Sequence, residues 1–310
     1  MNPTVRKEGK FMDFTTVITF IKDVALSLLT LLMMLSPAAD GGAEVFEAER
    51  PDELITSFVV VSDIHVETNF PQSYENFSDL LYGIKAGKDV DTVIYTGDNV
   101  MNGQVTEDFL FYSALRVMKP AENNLVVVGN HDVGNGEGDY EQLRKKFLAN
   151  NALYLGNIIT QDYYYRVIDG CYMIVLSSED NDAQSFSMTE EQFVWLEGVL
   201  EKAKEDNARI FVFNHFPIRY LNTSDPARLG NLLKEYNCEL FVHGHIHNDL
   251  GTDNFYTSYG IDCINLPRAT EVTEYAAGDG IVVEVYEDEI VVRGRDFIKG
   301  EWIDGLRYTY

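Results

Sequence analysis

The sequence predicts an α/β protein with a mainly parallel sheet and helices packed outside it. Three observations carry this. From Ser57 onward, short apolar runs alternate with stretches of helical periodicity. Five of those runs are apolar strands that stop abruptly: Phe58–Ser62, Thr92–Thr96, Leu125–Val128, Arg209–Phe213 and Leu240–Val242. Each then delivers Asp, Asn or His at the same end, and all 6 histidines lie in or beside these strand ends. Ligands of open α/β sheets gather where strands finish at their carboxyl edge, so chemistry is expected there.

Between the strands, apolar residues fall at helical spacing over Tyr74–Ile84, Phe109–Val117 and Tyr140–Leu148. Tyr163–Val167 and Tyr172–Leu176, joined through Asp169-Gly170, read as a hairpin, and its tyrosines as strand formers rather than a stacking surface. Thr189 and Gln192 are spaced as a capping box for a helix burying Phe193, Leu196 and Leu200, with Trp195 in the core beside that face. Asp225-Pro226 opens a helix through Leu233, and Ile281–Val285 with Glu289–Val292 forms another hairpin.

The leading residues read differently. Arg6, Lys7 and Lys10 precede an apolar run, Val24–Leu35, and small residues Ser36-Pro37-Ala38-Ala39 follow it. Residues 1–39 are therefore expected to be an export signal, which implies a secreted or cell-surface protein. The alternatives are an uncleaved membrane anchor and a soluble helical extension. The run is short for a span, and extending it back to Thr15 takes in Lys22 and Asp23. Membrane contact is expected only through this segment. Residues 40–56 read as a linker and 57–310 as one domain.

With 310 residues, 45% hydrophobic and 12% aromatic, the chain can bury a large core. Its formal net charge of -26 repels phosphate backbones, and its 24 Lys and Arg are scattered, so no nucleic-acid partner is expected. Cys171, Cys238 and Cys263 form no metal-binding pattern and read as small buried hydrophobes. One disulfide plus a free thiol is the alternative for an exported chain.

The strand ends deliver Asp63, His65, Asp98, Asn130, His131, His215, His245 and His247. Mixed carboxylate and imidazole donors suit manganese, iron, zinc or cobalt rather than calcium. Eight are too many for one ion with an open position, but they suit two ions plus one histidine left for proton or charge work. Two ions about 3.5–4 Å apart need a shared carboxylate. Asp98, directly after Gly97, is the candidate bridge.

In order along the chain, Asp63-x-His65, Gly97-Asp98, Gly129-Asn130-His131-Asp132, Asn214-His215 and Gly244-His245-x-His247 resemble the motifs of the calcineurin-like metallophosphoesterase superfamily. The resemblance implies a four-layer αββα sandwich, two mixed β-sheets flanked by helices. It implies that Asp63, His65 and His247 bind one metal ion, that Asn130, His215 and His245 bind the other, and that Asp98 bridges. The ions would be divalent or trivalent transition metals (Mn, Fe or Zn). His131 would stabilise the transition state or protonate the leaving group, and a metal-bound hydroxide would attack a small-molecule phosphate ester.

Met101 stands where purple acid phosphatases have Tyr. Asn99–Gly103 replaces the Asp-Arg-Gly of protein Ser/Thr phosphatases, and lipid A-precursor hydrolases have Arg at the position of His131. The Asp98–Gly103 spacing and the Ser187–Leu196 run are more similar to the bacterial cyclic-nucleotide and glycerophosphodiester phosphodiesterase branch. Small diesters are thus the expected substrates. A phosphomonoesterase or nucleotidase, a non-catalytic metal-binding scaffold and a DNA nuclease are the alternatives.

Around the site, His243 reads as structural, and Asp132 as an outer partner that orients an imidazole. Asn99 and Asn214 read either as turn holders or as phosphate contacts. Arg219 either meets a substrate phosphate or forms a surface salt bridge. Specificity is expected in the loops Val66–Ser73, Gly134–Tyr140 and Asp249–Tyr259.

Overall fold

The computed structural model describes residues 44–270 and 278–310, so the expected leader lies outside the described residues. Among the described residues, twelve strands form two six-stranded sheets. The first holds β1 (Thr56–Val61), β2 (Thr92–Tyr95), β3 (Asn123–Val126), β10 (Asp279–Val285), β11 (Ile290–Asp296) and β12 (Glu301–Thr309), in the order β12-β11-β10-β1-β2-β3. The second holds β4 (Tyr164–Ile168), β5 (Cys171–Val175), β6 (Arg209–Phe213), β7 (Leu240–His243), β8 (Phe255–Ser258) and β9 (Ile261–Asn265), in the order β4-β5-β6-β7-β9-β8.

The sheets pack face to face because each central strand has two apolar faces. Phe58 and Val60 of β1 meet Phe211, Phe213 and Val242 between the sheets. Val59 and Val61 face the other way, onto α1 (Pro71–Lys85) and α2 (Val105–Met118), where Phe77, Leu81 and Phe111 cover them. On the second sheet, Ile174, Val212 and Phe241 lie under Leu196, Leu200, Leu229 and Leu233 of α4 (Glu190–Glu205) and α5 (Pro226–Glu235). α3 (Tyr140–Asn150) flanks the first sheet through Phe147. Strands buried on both faces read as unbroken apolar runs rather than alternating ones. The four layers and the mixed sheets match what the family resemblance implies.

The expectation of a mainly parallel sheet needs correcting. Only β1-β2-β3 and β5-β6-β7-β9 run parallel, and antiparallel strands flank both sets. The expected hairpins supply them: β4 with β5 across Asp169-Gly170, and β10 with β11. β8 lies inside a stretch expected to be loop, where Phe255 stacks on Tyr308 of β12. Thr189 caps α4 by accepting from Gln192 N, but no box forms. The Gln192 side chain is instead drawn inward to bond the Ser177 backbone and Glu179. Asp225 caps α5 as expected.

Residues 44–53, expected within a linker, lie against the first sheet. Phe46 is buried edge-on to Phe297 and Trp302 and pairs with Gly87, where a Cβ would meet its ring at 2.6 Å. Arg295, 2% exposed, stacks over Phe46 and donates to the Glu44 and Gly300 carbonyls. The three cysteines are free and buried. The tyrosine run is structural: Tyr163 packs on Trp195, Tyr165 stacks on Tyr172, and the Tyr164 hydroxyl bonds the Val126 backbone. Among the described residues no helix is long and apolar enough to cross a membrane.

Candidate metal centre

Because β1-β2-β3 and β5-β6-β7 run parallel within their sheets, their carboxyl ends bring five loops to one edge of the sandwich. Asp63 and His65 follow β1, Asp98 follows β2, and Asn130, His131 and Asp132 follow β3. His215 follows β6, while His245 and His247 follow β7. The loops are tied to one another: Asp63 N donates to Gly97 O, His65 N to Asp98 O, and Gly244 N to His215 O. Across the sheets, His245 N donates to Asp63 Oδ2 at 3.1 Å.

Two donor groups result, sharing Asp98. Asp63, His65, Asp98 and His247 form one, and Asp98, His215 and His245 the other, each with donor atoms within 4.8 Å of one another. In the first, His247 Nε2 lies 2.8 Å from Asp63 Oδ1 and 3.3 Å from His65 Nε2. His65 Nε2 is 3.6 Å from both Asp63 Oδ1 and Asp98 Oδ2. In the second, His215 Nε2 is 3.2 Å from Asp98 Oδ2 and 3.1 Å from Asn130 Oδ1. Asn130 Oδ1 also faces His245 Nδ1 at 3.2 Å. Six of the seven residues expected to be ligands make up these two groups, and Asn130 faces the second through its Oδ1.

The donor set fits metal ions on its own chemistry. Two imidazole nitrogens face each other at 3.3 Å, and four histidines and three oxygen donors converge on the same space. Glycine makes such convergence sterically possible. A Cβ on Gly129 would lie 2.9 Å from Asp98 Cγ, and closer still to the Asp98 backbone N and Oδ1. One on Gly244 would collide with Ser62 and Asp63. Five donors, Asp63, His65, Asp98, His245 and His247, have φ between 47° and 72°, a left-handed region costly for L residues.

Electrostatics keeps the centre charged. Burial pushes the Asp98 carboxyl up, but the facing His215 more than reverses this and holds it at about 2. Burial likewise opposes the charge on His215, and Asp98 overcomes it, raising the imidazole to about 9. Asp63 stays well below the usual carboxylate range, because bonds from His247 and His65 outweigh its desolvation. His245, half-buried beside cationic His215, drops to about 4 through desolvation and that neighbour's charge. The His215 Nδ1–H donates to Thr96 O at 2.9 Å, which aims Nε2 at the donor group.

His131 stands apart from both groups. Its backbone N donates to Asp98 Oδ1, and Nδ1 bonds Met101 O at 2.6 Å, so Nε2 is the nitrogen left for chemistry. Its ring lies edge-on to His65 with centroids 4.8 Å apart. Asp132 corrects an expectation: it touches no imidazole. Its carboxylate accepts from Gly129 N, Asn99 N, Val100 N and Asn99 Nδ2, clamping the loops after β2 and β3 together. Asn99 and Asn214 hold turns, donating to Val127 O and Phe216 O. His243 is buried, bonded to Tyr256 Oη and Gly244 O, and its desolvation lowers it to about 3. Arg219 is exposed, stacks over Tyr220 and makes no ion pair among the described residues.

The sequence reading missed Phe216 and Tyr220, whose rings lie 4.4 Å and 5.7 Å from that of His245. Their only signal was position, close after Asn214-His215. Ser62 was also missed; it donates to Asp63 Oδ2 at 2.5 Å.

A two-sheet α/β sandwich whose loops are arranged for a dinuclear metal site defines a class of metal-dependent phosphoester hydrolases. The family model for calcineurin-like phosphoesterases matches residues 56–249. The chain belongs to that family. Comparison with curated protein sequences found no match. Among solved structures, the chain is similar to a dimetal phosphatase from Danio rerio, at 15% identity and a TM-score of 0.56, covering 83% of this chain and 98% of that one. It is also similar to GAP50, the anchor in the inner membrane complex of Plasmodium, at 16% identity and a TM-score of 0.56, covering 82% and 87%. At these identities the likeness shows the fold.

Proposed function

We propose that the protein hydrolyses small phosphodiesters with two transition-metal ions. The carrying observation is the Asp98 carboxylate, which stands in both donor groups. In this reading Asp63, His65 and His247 hold one ion, Asn130, His215 and His245 the other, and Asp98 both. Ions so held would act as Lewis acids on a phosphoryl oxygen and on the attacking water.

The chain's own groups do the rest. His131 Nδ1 is fixed by Met101 O, so Nε2 is positioned to carry a proton to the leaving oxygen or to offset charge on phosphorus. Arg219, on its Tyr220 support, is the cation available to a substrate phosphate at the rim beside His245. A diester carries one negative charge where a monoester carries up to two, and a chain of net charge -26 repels the dianion more strongly. The likeness of Asp98–Gly103 and Ser187–Leu196 to diesterase motifs supports the same preference. The leader's sequence supports an exported protein, which amino-terminal sequencing of the extracytoplasmic form would test.

One similar structure is described as an anchor, which favours a scaffold as the second reading. The complete donor set argues against it. The deciding experiment strips the protein with chelator, refills it with manganese or zinc, and compares bis-p-nitrophenyl phosphate with p-nitrophenyl phosphate. Metal-dependent turnover favouring the diester is expected. Preference for the monoester would make it a phosphatase or nucleotidase, and no turnover with any metal would leave the scaffold.

A further inference from the structure

A cavity of about 680 Å³ lies at the end of the sandwich opposite the metal donors. It opens where α2 finishes and β3 begins, whereas the donors follow the far ends of the strands. The volume is in the range of pockets that take a small organic ligand.

Its walls are of two kinds. Leu115, Leu153, Tyr154 and Leu155 form an apolar side. Arg116, Lys119 and Arg166 form a cationic one, and Glu122 is the one acid in the lining. In a chain of net charge -26, three cations against one acid make a local inversion of sign. None of the three makes an ion pair among the described residues. Arg116 donates to Leu153 O and Arg166 to Tyr165 O, each leaving further N–H groups to offer. Complementing the dipole at the end of α2 would account for Arg116 and Lys119, but not for Arg166, which comes from β4.

A second observation points to the same place. The apolar wall is a π-helical turn, Asn151–Leu155, wound onto the end of α3. Such turns are rare and cluster at functional sites. This one leaves Leu153 65% exposed at the rim while its carbonyl is held by Arg116.

We propose that this cavity binds an amphipathic organic anion. The ligand's apolar body lies on the leucines of the π-helical turn, and its carboxylate, phosphate or sulfonate meets Arg116, Lys119 and Arg166. The site is independent of the metal centre.

The test uses the full-length, metal-loaded protein and anilinonaphthalene sulfonate, a fluorescent amphipathic anion. One saturable site is expected, displaced by octanoate but not by octanol. Losing two charge-assisted contacts in Lys119→Gln/Arg166→Gln should weaken binding at least about tenfold, with phosphodiester turnover unchanged as the control for folding. Leu153→Asp should weaken it as well. Unsaturable binding, equal displacement by octanol, or unaltered affinity in these variants would overturn the proposal. So would loss of dye binding when chelator strips the metal ions, which would place the dye at the metal donors.

Discussion

Gly129→Ala tests whether the shared carboxylate is placed by backbone proximity. Gly129 has no side chain because Asp98 occupies the space: an added Cβ would sit 2.9 Å from Asp98 Cγ and nearer to its backbone N and Oδ1. Ordinary contact begins at 3.4 Å, so Asp98 must retreat by about 1 Å. The obstacle includes backbone, which cannot swing aside as a flexible side chain would. Strain of this kind costs about 1–3 kcal/mol of stability, leaving a folded but weakened protein. A displacement of about 1 Å at the carboxylate common to both donor groups should cost about 10²-fold in turnover and lower metal content. Gly198→Ala is the matched control. Gly198 lies inside α4 with no heavy atom within 4 Å of the added Cβ, so the same substitution should stabilise by about 0.5–1 kcal/mol with activity intact. Thermal melts, metal analysis by mass spectrometry and bis-p-nitrophenyl phosphate turnover read all three quantities. A Gly129→Ala protein with full metal content and near wild-type turnover would refute the reasoning.

Three further outcomes are expected. His131→Ala should retain both ions and lose about 10²–10⁴-fold in activity, whereas Asp98→Asn should lose metal; equal metal loss in both variants would sink the division of roles. Metal binding should release a proton from His215 and tighten as pH rises toward about 9, because that imidazole is held protonated by Asp98. In the metal-free protein the raised His215 contributes stability that is full below about 6.5 and lost as pH rises through 9. Calorimetry in buffers of differing ionisation heat checks the release, and a pH-independent affinity between neutral and 9 would contradict it. Arg219→Ala should raise KM for the diester several-fold with both ions bound, since the guanidinium lies over Tyr220 and makes no ion pair among the described residues; unchanged kinetics would return Arg219 to the surface.

The donors were legible because each lies within a few residues of a strand's carboxyl end, and those strands are unbroken apolar runs. The same property hid the second sheet. Phe58 and Val60 face a sheet while Val59 and Val61 face helices, yet both pairs read simply as apolar. β12 was illegible as a strand because Glu301, Asp304 and Arg307 interrupt it, as an edge strand tolerates. Phe46 stood alone in an acidic stretch, and its pocket is assembled by Gly87, Phe297 and Trp302, far off in sequence. Nothing local said whether Asp132 would accept from an imidazole or from backbone. That depends on the approach of the β2 loop, which the fold decides.

Five of the donors occupy left-handed backbone, each at a cost of about 1–3 kcal/mol, and none is a glycine. Conformations of that kind persist only where the surroundings over-determine them. Here the surroundings are the loops themselves: the chain after β1 is hydrogen-bonded to the chain after β2, that after β6 to that after β7, and Asp132 locks β2's loop to β3's. The bond from His245 N to Asp63 Oδ2 then joins the two sheets at their common edge. Folding energy from three apolar layers therefore holds the carboxylates and imidazoles in place, so that ions meet a formed site rather than create one. This is why both sheets must be complete before either donor group exists, and why Asp98, in both groups, is the residue on which they depend together.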